Sequence, residues 1–138
     1  MATSASFAAT PKNGTLTTQL TTANTGRDGT GTLVTVFTAG ATGSRIDSII
    51  IQATGTTTAG MIRFFLSNDS GTSKRLIGEV PVLANTPSGT TPAWQALLTS
   101  QNSSFLQNGL VLQASAILYA APNNSETFNV VLLNAGDF

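Results

Sequence analysis

From Gly31 onward, apolar and polar residues alternate in short runs, and the runs are separated by stretches rich in glycine, asparagine or proline. A repeat of two puts successive side chains on opposite faces, which is the geometry of a strand and not of a helix. TLVTVFTA (32–39) is β-branched and reads as a strand, with GATGS (Gly40, Gly43) as the turn after it. RIDSIIIQATG (45–55) reads as a second strand, with Ile49, Ile51 and Ala53 on one face and Ile46 and Ile50 on the other. Apolar residues on both faces imply burial on both, by the sandwich core and by another chain or a covering loop. MIRFFLSN (61–68) sets Ile62, Phe64 and Leu66 against Met61, Arg63 and Phe65. RLIGEVPVL (75–83) puts Leu76, Val80 and Val82 on one face, and Pro81 removes a ladder donor, so this strand belongs at an edge or a bulge. GLVLQASAILYA (109–120) and TFNVVLLNAGDF (127–138) complete the series, the latter with Phe128, Val130 and Leu132 facing the core. Residues 84–95, with Pro87, Gly89 and Pro92, are expected to be irregular or extended. Residues 93–109 read either as one short helix or as a strand and a turn. The pattern predicts an all-β fold, an antiparallel β-sandwich of jelly-roll-like form.

Residues 1–30 differ. They are mostly Thr, Ala, Ser and Gly, with Phe7, Leu16 and Leu20 isolated among them. Such a segment cannot bury enough apolar surface by itself to offset its ordering entropy. It reads as a frayed tail or as an extended N-terminal arm that orders against a neighbouring subunit, followed by a sandwich domain over 31–138. In the second reading Phe7, Leu16 and Leu20 are its anchors.

Charge sets the next constraint. Only 9% of the 138 residues are charged, six basic and six acidic, with no histidine or cysteine. A nucleic-acid partner needs clustered Lys and Arg, which are missing. Without Cys or His, zinc, haem and iron–sulfur sites lose their commonest ligands, and a thiol nucleophile or a Ser–His–Asp triad cannot be built. No apolar run is long enough for a membrane helix. The expectation is therefore a protein with no cofactor, nucleic-acid partner or membrane contact. A surface so poor in charge has little self-repulsion in solution, and the sequence predicts that other protein covers it.

Few residues could carry chemistry. The carboxylates are Asp28, Asp47, Asp69, Glu79, Glu126 and Asp137, and no local spacing fixes two of them across a substrate. Asp47 and Glu79 are expected to pair with Arg45, Arg63 or Arg75 across strands. GRDGTG (26–31) leads into a strand and not a helix, so it reads as a corner anchored by Arg27 and Asp28, not as a phosphate loop. NDSG (68–71) lacks the alternating acidic pattern and terminal Glu of a calcium loop. Trp94 reads as a plug over one end of the sandwich or an interface anchor, and with Tyr119 it would form a sugar-stacking platform only if both rings were exposed side by side.

Three blocks, NTGRDGTGT (24–32), VFTAGATGSRIDSI (36–49) and ATGTTTAGMIRFFL (53–66), resemble small structural proteins of tailed bacteriophages, most of all their capsid decoration, or cement, proteins. The resemblance covers about residues 24–83. It implies a β-sandwich or jelly-roll body, a homotrimer, and docking on the major capsid protein lattice at the outer surface of the virion. It implies no catalytic residue and no cofactor. The expected partner contacts, chosen on surface logic, are Phe7, Leu16, Leu20, Arg27, Asp28 and Trp94. The alternative is a carbohydrate- or receptor-binding module of a tail or head fibre.

Overall fold

The computed structural model describes residues 8–138. Among them are eleven strands and a single turn of 3-10 helix, Ser104–Leu106. The strands are β1 (Thr10–Pro11), β2 (Val34–Thr38), β3 (Ser44–Ile46), β4 (Ile49–Ala53), β5 (Gly60–Ser67), β6 (Arg75–Val82), β7 (Gln95–Leu98), β8 (Leu110–Leu112), β9 (Ile117–Pro122), β10 (Phe128–Leu132) and β11 (Ala135–Asp137). They form three antiparallel sheets: A in the order β1-β11-β3-β8, B in the order β10-β4-β7, and C in the order β2-β9-β5-β6. The fold is all-β and sandwich-like.

Sheets A and B share their chain segments. β3 runs into β4 at Asp47–Ser48, and β10 runs into β11 at Leu133–Asn134. On the third side β7 pairs with β4 and β8 pairs with β3 in the same direction, with residues 99–109 inserted between them. The two sheets are thus one layer with a kink, and sheet C is the other layer. One apolar cluster draws on all three sheets, from Ile46, Ile49, Leu112 and Leu132 on one side to Val36, Ile62, Phe64 and Leu118 on the other.

The alternation read from the sequence fails at five places, each for a local reason. The 109–120 run is two strands in opposite layers, β8 and β9, parted by a turn with Ser115 at φ +62. The 127–138 run is β10 and β11, parted by the kink at Leu133–Asn134. The 45–55 run is two strands in two sheets. Ile46 and Ile49 are both fully buried, so the break at Asp47–Ser48 shifts the phase and brings Ile46 to the side expected only of Ile49 and Ile51. In β6 the register against β5 slips between Phe64 and Phe65, which pair with Gly78 and Leu76. Ile77 is the extra residue and packs on the core, so Leu76 lies on the face opposite Val80 and Val82. In β2 a slip between Thr35 and Phe37 lets the consecutive Val36 and Phe37 both enter the core. Pro81 does lie on an edge strand, and of the two readings of 93–109 the strand and turn is the one found.

Residues 8–30 follow the chain's own body. Ala9 and Lys12 donate to Asp137 and Ala135, Asn13 and Leu132 pair, Thr15 donates to the carbonyl of Val36, and Leu20 bridges Phe128. Leu20 is 1% exposed and belongs to the core. The anchor expected to seek a neighbour is therefore packed within the chain, because a bridge to Phe128 carries it over the edge of β10.

Candidate functional site: the uncovered outer layer

Each layer has an outward face, and the two are treated differently. On sheet C, Arg63, Phe65, Tyr119 and Ala121 point away from the core yet are all buried. Their cover comes from residues 24–31 and the 68–74 turn. Arg63, 4% exposed, is the fastening point. Its Nε donates to Glu79 Oε1 at 2.8 Å, and its Nη1 donates to the Asn24 carbonyl and to Asn123 Oδ1. Arg27 Nε reaches the same Glu79 oxygen at 2.7 Å. Burial pushes the Glu79 carboxyl up, but the hydrogen bonds and charges of the two arginines outweigh it and hold the group below its ordinary range. Lys74 lies 5.3 Å above the Tyr119 ring. Gly29 (φ +84) lies against the Lys74 carbonyl and Gly71 (φ +87) against the Tyr119 hydroxyl, where no Cβ fits.

Among the described residues the outward face of the A–B layer carries no such cover, apart from Ala8, Thr10 and Pro11 against Gly136 at one end. Strand register places its side chains in rows. Asn129, Gln52 and Gln95 form one row, and Gln19 extends it by donating to Asn129 Oδ1 at 2.7 Å. Val131, Ile50 and Leu97 form the next. Beyond the kink follow Gly136, Arg45 and Val111. At the kink itself Asp47 and Ser48, and likewise Leu133 and Asn134, are consecutive residues that both face outward, because Ile46 and Ile49, and Leu132 and Ala135, face inward. These doublets, with Leu97, Thr99 and Asn108, line an open groove of about 580 Å³.

Six large apolar side chains are exposed among the described residues: Leu16, Leu83, Leu97, Val111, Leu133 and Phe138. All but Leu83 lie on or beside this one face. Leu97, Leu133 and Val111 are outward in its strands, Phe138 continues β11 next to Gly43, and Leu16 borders the hollow beside Val131. Exposed apolar side chains gathered on one face form a candidate interaction surface, whereas scattered ones carry no such meaning. The face holds one acid and one base, Arg45 and Asp47, joined at 2.8 Å.

The residues expected at a partner contact do not converge. Phe7 lies outside the described residues. Leu16 borders the bare face, and Leu20 is in the core. Arg27 and Asp28 lie over sheet C, where Asp28 accepts from the amide and the hydroxyl of Thr30, the hydroxyl bond contributing most to the lowering of its pKa. Trp94 is half-buried and meets Phe128 edge-on at 5.9 Å and 89°, the plug geometry. Tyr119 belongs to the other layer and is covered, so the two rings form no platform. The sequence expectation of a second cover over the outer parity, Ile50 included, did not extend to naming Val131, Leu97, Leu133, Val111 and Phe138 as contacts. The signal was the second apolar parity of each strand.

The carboxylates stand apart from one another. Asp47 meets Arg45, Glu79 meets Arg27 and Arg63, and Asp137 meets Lys12 at 2.7 Å and Ser44. Burial pushes the Asp137 carboxyl up, but Lys12, Ser44 and the Gly40 amide outweigh it and hold the group below its ordinary value. Asp69 accepts from Ser67 and from the Ser73 amide, the latter doing most to lower its pKa. Glu126 accepts from Thr58. Among the described residues no three metal-ligating side chains of the His, Cys, Asp and Glu set come together, and no helix is long and apolar enough to cross a membrane. No protein-family model, curated protein or solved structure matches the chain.

Proposed function

We propose that this chain is a non-enzymatic structural component of an assembled particle, namely a capsid decoration protein of a tailed bacteriophage. It docks as a homotrimer on the major capsid protein lattice at the outer surface of the virion. The observation that supports this reading is the contrast between the two outward faces. The chain covers one of them with its own segments and leaves five exposed large apolar side chains together on or beside the other. A catalytic reading finds less: each carboxylate has its own separate set of partners, and five of those sets fasten the fold, tie a turn or pair within a strand. In finer detail we read the fold as a jelly-roll-like sandwich with residues 1–30 as its arm, of which 8–30 wrap the body and tie β11, β10 and β9 together.

Stabilisation of a capsid by such a protein is mechanical. Apolar surface buried as the assembly forms, between copies or against the lattice, contributes in proportion to the area removed from water, and several copies held together engage several lattice subunits at once. The test is co-sedimentation of the purified protein with assembled phage heads stripped of accessory proteins. Saturable binding at a fixed ratio to the major capsid protein is expected. Protein that stays in the supernatant at every concentration would overturn the reading.

A further inference from the structure

We infer that the bare face of the A–B layer is where a second copy of this chain packs. The inference rests on the reading of the protein as an assembly component, and it names the surface through which its copies meet.

Three observations point to a copy of the same chain as the occupant. The first is charge. The face carries one Arg and one Asp, already paired, and the whole chain has six charges of each sign, so two copies approach without net repulsion. Arg45 and Asp47 also give each copy a base and an acid to offer to the other. The second is hydrogen-bonding capacity. The row Gln19–Asn129–Gln52–Gln95 consists of amides. Gln19 donates to Asn129 and Gln52 to the Ala53 and Trp94 carbonyls, and the row still offers donors and acceptors of both kinds, which an identical row complements. The third is that the sheet edges are obstructed, which leaves faces as the route of association. β1 is two residues long and ends in Pro11, and β6 contains Pro81. The Leu97 carbonyl of β7 is taken by Asn102 Nδ2 at 2.8 Å. Thr15 takes the Val36 carbonyl of β2, Leu20 and Asn13 bind the outer edge of β10, and β8 has only three residues. Short, capped and proline-bearing edges resist strand pairing between chains.

The size of the face sets the strength of the contact. Three strands about 4.8 Å apart and ten residues long at about 3.3 Å each cover roughly 14 Å by 33 Å, or ~460 Å² in projection. A standard interface takes roughly 800 Å² from each partner. Side-chain relief, Leu16 and the rim formed by 99–109 enlarge the footprint, yet it stays at the small end. Association through it is therefore expected to depend on concentration within an ordinary experimental range.

Sedimentation velocity and light scattering of the purified protein over a dilution series test this. Wild type is expected to pass from oligomer to monomer on dilution. The double variant Leu97→Glu/Leu133→Glu is expected to be monomeric throughout, with an unchanged circular dichroism spectrum and melting curve. Leu83→Glu, at an equally exposed apolar residue away from this face, is expected to associate like wild type. A wild type that is monomeric at all concentrations, an oligomer that survives the double variant, or equal loss in Leu83→Glu would overturn the inference. These outcomes bear on how copies meet and not on docking to the capsid lattice, which fails instead if the protein does not co-sediment with phage heads.

Discussion

The outward faces of the two layers start from similar material and end in opposite states. Sheet C presents Phe65, Tyr119 and Ala121 outward, and the A–B layer presents Ile50, Val131 and Leu97. The first set is buried under residues 24–31 and 68–74, whereas the second is open to solvent or half so. The difference does not lie in the strands. It lies in what the connecting segments carry: Arg27 and the Asn24 carbonyl reach the Arg63–Glu79 pair, and among the described residues nothing equivalent reaches across the A–B layer. Apolar outward parity thus marks a face that something covers, and only the segments between strands decide whether the cover is internal.

The largest effects are expected where the internal cover is fastened. Arg63→Ala leaves Glu79 with Arg27 alone and frees the Asn24 carbonyl and Asn123 Oδ1 from their donor. Arg63 is buried but Glu79 is partly exposed, so losing this hydrogen-bonded pair is expected to cost about 3 kcal/mol, the low end for a buried pair. A urea denaturation midpoint shifted by that amount supports the fastening role, and a change near zero shows that the cover holds without it. Leu20→Ala comes next. A buried leucine truncated to alanine loses about 3 kcal/mol or somewhat less where the site collapses. If residues 8–30 were dispensable to the fold, this variant would melt like wild type.

A pH effect of smaller size follows from Glu79 and Asp137. Both carboxyls are held below their ordinary values of 4.5 and 3.8 in the folded chain. In the unfolded chain they take protons first, so on acidification the unfolded state binds more protons and gains relative stability. The contribution is fully present above the ordinary values and fades as pH falls through the lowered ones. Thermal stability should be level from neutral pH to about 5 and drop below about 4. In Glu79→Gln the acid-side drop should be shallower. A drop of unchanged size in that variant would remove Glu79 from the account.

Much of this was legible in the sequence, and the rest was lost for identifiable reasons. Alternation located most of the strands, Pro81 marked an edge, and Glu79 pairs with Arg63 across strands as expected, whereas Asp47 meets Arg45 two residues back on its own segment and not across strands. The slips at Val36 and Ile77 were invisible, because one extra residue in a bulge reverses the facing of everything beyond it while leaving the composition unchanged. The kink at Asp47–Ser48 was hidden in the same way. Arg27 was singled out as a corner residue, but its partner Glu79 lies 52 positions away, and no local pattern joins them. Leu20 looked like a free anchor because an isolated leucine in a Thr-rich segment does not reveal that Phe128 is beside it. That the strands were apolar on both faces was legible, but which of the two outer faces the chain covers itself was not, because that depends on where residues 24–31 and 68–74 fold back.

The smallest effect is the one that best sharpens the contrast between the faces. Leu97→Ser removes a side chain that is 48% exposed and outside the core cluster, so the fold should lose no more than about 0.5 kcal/mol. Phe65→Ser, at the equivalent outward parity of sheet C, removes a ring that is 0% exposed and should cost several-fold more. The pair of variants separates two meanings of an outward apolar residue. If both are nearly silent, the cover over sheet C contributes little and the two faces are alike. If both are costly, Leu97 is packed by something within its own chain and the A–B face is not bare. Only a silent Leu97→Ser beside a costly Phe65→Ser is consistent with one face closed by the chain itself and the other left for a neighbour.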